Sequence, residues 1–307
     1  MRTAGVARLS VLGAALLFST GGAAIKGTAM TSFQVAGFRS GVAALAIALL
    51  LPAARRGFGL SLLPAALAYA ATLIFFVAAT KLTTAASAIF LQSTAPIWVL
   101  VLTPILVREP IRRADLPYVA MAALGLLLVF LGSRDPVATA PQPALGNALG
   151  LASGLTYALL MILMRRLARA GRTGNGDDGQ GQGQRDGDRT LTAMVLGNAI
   201  AFLACLPMSF PLAAVSAHDV AAITYLGVVQ IGVAYWLFAH GLRVLSALEI
   251  SLLVLLEPVL NPLWTWILEG EQPSALALLG GAVMVAALAA RAVLDRGARA
   301  PETPPPD

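Results

Sequence analysis

Again and again along this chain, about twenty residues pass with almost no charge. A helix of that length spans the roughly 30 Å hydrocarbon layer of a bilayer. Ten such runs can be laid out, at roughly 7–25, 33–52, 61–80, 84–107, 115–132, 146–164, 191–210, 219–240, 246–268 and 274–293. They are rich in Ala, Leu, Val and Gly and lack the alternation of a lipid-facing β-strand. Inside a bilayer no water satisfies the backbone, so helices are the remaining solution. The expectation is an all-α membrane protein with ten transmembrane helices. The first run follows Arg2 and Arg8 and can also be read as a signal peptide. It continues to Ile25 with no small-x-small exit into a polar segment, which favours a span.

Composition agrees. Of 307 residues 58% are hydrophobic and 12% charged, and mean hydropathy is +0.80. Soluble domains carry about a quarter charged residues. These charges cannot clothe a water-facing surface of this size, which excludes a cytosolic enzyme and a disordered chain. The net charge of +6 sits on short Arg clusters between apolar runs, as in cytoplasmic loops, with no continuous basic face for nucleic acid. Cys205, the one cysteine, lies in an apolar run and reads as a small packed residue.

The basic residues also orient the chain. With the N-terminus in the cytoplasm, the inner loops and ends hold Arg2, Arg8, Arg55, Arg56, Arg108, Arg112, Arg113, Arg165, Arg166, Arg169, Arg172, Arg185, Arg189, Arg243, Arg291, Arg296 and Arg299. The outer side holds Lys26, Lys81 and Arg134, and Arg39 falls within a span. The positive-inside rule then places both termini in the cytoplasm, consistent with an even number of crossings. Lys26 and Lys81, at helix ends, are expected to touch headgroups.

The longest polar stretch, residues 171–190, is rich in Gly, Gln and Asp and lacks apolar residues. It reads as a flexible cytoplasmic linker between spans six and seven. Residues 133–145, with Pro136, Pro141 and Pro143, form a shorter linker, and the tail 300–307 is Pro-rich.

The chain also repeats itself. Shifted by 162 positions, Lys81 falls on Arg243, Thr84 on Ser246, Ala85 on Ala247, Pro96 on Pro258 and Glu109 on Glu271. The segment KLTTAASAIFLQSTAPIWVLVLTPILVREP lies over RVLSALEISLLVLLEPVLNPLWTWILEGEQ without gaps. A weaker match at another shift lays Leu12-Gly13 over Leu149-Gly150 and Ser19 over Thr156. The division expected is two five-helix repeats, 1–139 and 140–307. Five is odd, so the second copy crosses in the opposite sense. Inverted repeats are characteristic of transporters, whose halves exchange conformation around a central site.

These residues carry a resemblance. Ser19-Thr20 through Lys26 in span one, Arg39 in span two, REP at 108–110, EGEQ at 269–272 and LMRRL at 163–167 are similar to the ten-helix EamA-type transporters of the drug/metabolite transporter superfamily. The resemblance covers about 250 residues. It departs at Phe18, where that family often has Trp, at Arg108-Glu109, where Gly-Glu is usual, and in the long linker. It implies a multi-pass protein of the bacterial inner (plasma) membrane that exports small metabolites such as amino acids or their derivatives.

Candidate site residues follow from depth and chemistry. Glu257 lies near the middle of span nine, where an ionised carboxylate is costly unless paired or hydrated. Pro258 frees a carbonyl one turn before, and Asn261 lies one turn on, on the same face. An acid, a carbonyl and an amide there could hold an ammonium group or a proton; alternatively a protonated Glu257 makes a packing hydrogen bond. Glu249, two turns earlier, is a second proton-coupling candidate, or else reaches the headgroups. Arg39 is expected to pair with a substrate carboxylate, to neutralise Glu257, or to snorkel. Ser19, Gln92, Tyr157, Gln230, Tyr235 and Trp264 complete the substrate-binding candidates. Buried amides by default bond between helices, and the aromatic residues, Trp98 and Trp236 included, by default pack or face lipid. His218 and His240 have no partner at metal spacing. Gly37–Gly41 and Gly146–Gly150–Gly154 are expected to let helices approach closely.

The leading function is therefore secondary transport of a small molecule by alternating access. No Walker sequence supplies ATP chemistry, no cofactor is called for, and protons are a candidate coupling ion. A homodimer is compatible with these features. An intramembrane enzyme would need nucleophile or metal signatures that the chain does not carry. A structural or receptor-like membrane protein is the remaining alternative.

Overall fold

The structure, a computed structural model, describes residues 2–106, 116–133, 135–172, 179–212, 215–242, 245, 250 and 253–297. Among these the regular structure is helical, with one isolated antiparallel bridge between Val137 and Ala140. The helices are α1 (Arg2–Ser19), α2 (Gly21–Lys26), α3 (Ser32–Leu50), α4 (Leu63–Leu82), α5 (Ala85–Gln92), α6 (Ala95–Leu106), α7 (Leu116–Gly132), α8 (Pro143–Arg172), α9 (Gly179–Cys205), α10 (Ala217–Thr224), α11 (Ala234–Leu242), α12 (Leu256–Glu269) and α13 (Ala275–Gly297). A wider, π-helical segment, Tyr225–Val233, joins α10 to α11.

Among the described residues, seven helical segments are long and apolar enough to cross a membrane: Gly5–Lys26, Ser32–Leu50, Leu60–Leu82, Ala85–Leu106, Pro143–Met164, Arg189–Ser209 and Ala217–Gly241. Leu116–Gly132 and Ala275–Ala290 are shorter apolar helices. The chain's outer surface is correspondingly greasy, with Leu45, Leu49, Ile105 and Ile267 exposed, as lipid contact requires and water would not favour.

Local signals set the helix ends. Thr31 opens α3 with a reciprocal box: its side chain accepts from the Gln34 N–H at 3.3 Å, and Gln34 Oε1 accepts from the Thr31 N–H at 3.0 Å. Ser216 and Asp219 do the same for α10. Gly270 ends α12 with φ +66°, a left-handed conformation that only glycine adopts freely.

Among the described residues, three helical runs are interrupted. The helix is broken at Thr20 between α1 and α2, at Ser93–Thr94 between α5 and α6, and at Leu255 just before α12. Pro96 and Pro258 each lie within the first three residues after a break, where the missing N–H is one of the helix's unpaired donors anyway. Residues 93 and 255 stand 162 apart, the shift of the sequence repeat.

The packing has a recurring pattern. α4 lies against α8 and α9, α7 against α13, α3 against α9 and the π-helical segment, and α1 against α11 and α12. The small-residue ladders act as expected. A Cβ on Gly146, Gly150 or Gly154 would crowd Thr83, Leu91 and Thr94 respectively, and one on Gly37 or Gly41 would crowd Cys205 or Phe202. Cys205 is buried and free.

One expectation is corrected in part. Within the 171–190 stretch, Gly171 and Arg172 end α8 and residues 179–190 begin α9; 173–178 lie outside the described residues. Four glycines and two aspartates make 179–190 a poor helix by propensity, but extending a helix already nucleated in the apolar segment from Leu191 onward costs far less than starting one.

Candidate functional site

The polar residues of the apolar runs meet along a seam between the two halves of the chain. Thr72 donates to Thr156 at 2.9 Å, Ser153 Oγ donates to the Thr72 carbonyl at 3.1 Å, and Gln92 Nε2 donates to Ser153 Oγ at 2.9 Å. On the other side of the fold, Thr20 and Tyr225 share a hydrogen bond of 2.8 Å, Trp264 Nε1 donates to Ser19 Oγ at 2.9 Å, and Gln230 Nε2 donates to the Phe18 carbonyl at 3.3 Å. Tyr69 and Tyr235 join hydroxyls at 3.0 Å. Each of these bonds joins a residue before 140 to one after it.

The break at Thr20 is central to this seam. Gly21 and Gly22 have no side chains, so Gln230 and Asn261 reach the backbone there: a Cβ on Gly22 would lie 2.5 Å from Asn261 Oδ1, and one on Gly21 2.8 Å from Gln230 Nε2. Asn261 is buried with neither amide atom hydrogen-bonded, and Gln230 Oε1 is likewise without a partner. Buried amide atoms without partners are rare, and here two helices aim them at one interrupted crossing.

Arg39 on α3 is 2% exposed, so it does not snorkel to the surface. It lies close to Tyr69, Tyr235 and Cys205, and its Nε has no partner. Among the described residues no carboxylate pairs with it, Glu257 included. Glu257, in the first turn of α12, is half-buried and lies near Tyr157 and Tyr235. No cation pairs with it among the described residues. Tyr157 packs with Tyr69, Leu73 and Leu160 in one apolar cluster. A lone guanidinium and a lone carboxyl thus share a tyrosine-walled neighbourhood.

Other candidates fall elsewhere. Glu249 lies outside the described residues. Trp236 is half-exposed and faces outward, while the Trp98 indole N–H is buried without a partner. His240 and His218 are exposed, and no cluster able to hold a metal exists among the described residues.

At one end of the bundle a second polar group forms, and it corrects the headgroup reading of Lys26. The Lys26 ammonium is buried and pairs with Glu271 at 3.0 Å. It also donates to the Thr83 carbonyl at 2.8 Å and to the Thr139 carbonyl. Glu271 Oε1 accepts from the Ala85 N–H at 2.6 Å. Lys81 donates to Thr28, to its carbonyl at 2.6 Å and its hydroxyl at 2.9 Å. Asp219 accepts from the Ala29 N–H at 2.9 Å. Chain reversals gather here, and a carbonyl-lined pocket captures the ammonium more fully than headgroups would.

Sequence reasoning passed over Tyr69, Tyr225, Thr72 and Ser153. In an apolar run such residues look like ordinary packing. Their one signal was depth, each lying within a crossing that also carries a candidate polar residue or faces one.

Comparison with known proteins supplies the remaining evidence. No curated protein matches the chain. A solved structure described as a crystal structure of a protein superposes with a TM-score of 0.60 at 21% identity, covering 96% of this chain and 99% of that one, which speaks to the fold. A family model matches twice, over residues 6–131 and again over 187–290. The two matches take up most of the chain, one in each half of a multi-pass, all-helical membrane protein. The chain belongs to the EamA-like transporter family.

Proposed function

We propose that this protein is a secondary active transporter with ten crossings in two inverted five-helix repeats, 1–139 and 140–307, moving small metabolites by alternating access. Two observations support the repeat architecture. The breaks at 93–94 and 255 fall in the register of the sequence repeat. The packing also maps onto itself when the halves are exchanged: α4 on α8 corresponds to α11 on α1, and α4 on α9 to the π-helical segment on α3. Five crossings per copy make the exchange an inversion.

The observation that carries the functional reading is a pair of charged groups with no ion-pair partner among the described residues, the buried Arg39 from the first half and the half-buried Glu257 from the second. An unpaired charge within an apolar bundle is costly, and a protein that keeps two such groups within one neighbourhood without pairing them leaves both open to a ligand. Arg39 suits a carboxylate. Glu257, with Asn261 one turn on, suits an ammonium group or a coupling proton. Ser19, Gln92, Tyr157, Gln230, Tyr235 and Trp264 bound the same seam, and Glu249 is a second proton-coupling candidate. The substrates proposed are amino acids or their derivatives, exported across a bacterial plasma membrane with both termini in the cytoplasm.

The test is counterflow in proteoliposomes. Vesicles loaded with unlabelled amino acids should accumulate labelled ones transiently, which requires a carrier that exchanges. Absence of counterflow across a panel of amino acids and their derivatives, by folded protein, would reject this substrate class.

A further inference from the structure

Lys26 and Glu271 carry charge into a buried setting, their side chains 6% and 1% exposed, at a place where no substrate chemistry is expected. Around them meet the end of α2, the α4–α5 junction at Thr83 and Ala85, the α7–α8 connection at Thr139, and the α12–α13 connection at Glu271. The two flanking bonds, Lys81 to Thr28 and Asp219 to Ala29, tie α4 and α10 to the same turn after α2. Lys26, Thr83 and Ala85 belong to the first half of the chain and Glu271 to the second, so the cluster joins the halves at one end only.

We infer that the Lys26–Glu271 pair is a releasable latch that closes this end of the transporter in one conformer and parts in the other. The inference rests on the alternating-access reading above. Its physics differs from that of an apolar seal. A buried ion pair contributes little net stability, because the Coulomb attraction mainly offsets lost hydration. When the segments separate, water reaches both ions together and restores that hydration. Removing one ion alone gives no such return, since the closed form then buries an uncompensated charge. A pair of this kind therefore fixes the closed geometry sharply while leaving the two conformers close in energy. The ammonium is held by two carbonyls and the carboxylate by the first N–H of α5, so each ion has a defined seat only when the end is shut.

The test is a distance measurement. Cysteines replace the exposed Ala138, in the first half on the α7–α8 connection, and Gln272, in the second half on the α12–α13 connection, in a Cys205→Ala background, and carry spin labels in liposomes. In Lys26→Met and in Glu271→Gln, the longer of two distance populations should grow by at least about tenfold relative to the unsubstituted latch. The double variant should open no further than the more open single one, because the loss is shared. A folded single variant with the original distribution overturns the latch. Glu271→Asp, which keeps the charge and shortens its reach, is measured alongside and should show an intermediate distribution. If all three fail to fold, the pair is a folding pin and the latch is equally overturned, since a contact made in one conformer only is dispensable to the fold. Distances that respond without any counterflow by the unsubstituted protein would keep the latch and remove the transport reading. Counterflow with unresponsive distances would do the reverse.

Discussion

Glu257 and Asn261 share a face of α12 but differ in what surrounds them. Glu257 is half-buried beside Tyr157 and Tyr235, whereas Asn261 is sealed against Gly22. Their substitutions should separate accordingly. Glu257→Gln keeps the shape and removes the ionisable group, so purified protein should keep its melting temperature while proton-driven accumulation is lost; an unchanged accumulation ratio would take Glu257 out of coupling. Gly22→Ala places a methyl group where Asn261 now sits. Overpacking of this kind costs about 1–3 kcal/mol, so the melting temperature should fall and counterflow should slow. A neutral result on both would mean that the Asn261 amide turns aside freely. The charges at these depths were legible in sequence because a bilayer makes any polar residue conspicuous. Their partners were not: sequence gives the depth of a residue in a crossing but not the direction in which it faces, so the Lys26–Glu271 pair, Tyr69 and the Thr20–Tyr225 bond were out of reach.

At the scale of the element, the broken helices are the structural step between residue and site. Pro258 pointed to a freed carbonyl in span nine, whereas the matching break before Pro96 is a finding of the structure. The break at Thr20 has no proline; two glycines after a hydroxyl pair are a weaker signal, and what makes the break useful is the approach of Gln230 and Asn261 from helices remote in sequence. If the paired breaks belong to the conformational change, closing them should impair movement more than stability. Pro96→Ala and Pro258→Ala each restore an N–H donor and let the helix continue, so each protein should melt at or above the original temperature and show slower counterflow. Original counterflow rates in both variants would leave the breaks as passive consequences of proline. Residues 174–187 make the opposite case. They contain no residue able to bury apolar area, so their deletion should leave folded yield and melting temperature unchanged, whereas loss of folded protein would show that the polar extension of α9 is needed for assembly.

For the molecule as a whole, orientation decides which side the latch closes. The basic residues outside the apolar runs fall overwhelmingly on one side if both termini are cytoplasmic. The fold agrees on which segments share an end: Lys26 meets Thr83, Thr139 and Glu271, while at the opposite end Thr192 donates to the Arg56 carbonyl at 2.7 Å and Arg189 donates to that of Leu167 at 3.4 Å. On the orientation proposed above, the arginine-rich end faces the cytoplasm and the lysine end faces out, because translocating many arginines across a polarised membrane works against the field while retaining them does not. Single cysteines at Gln142 and Gln272 should react with a membrane-impermeant maleimide in intact cells, and one at Arg189 should react only after the membrane is opened. Labelling in the reverse pattern would place the latch on the cytoplasmic side and turn the transport cycle around. Simultaneous labelling of Arg189 and Gln272 from outside would break the ten-crossing thread itself, since those two positions lie on opposite ends of one bundle.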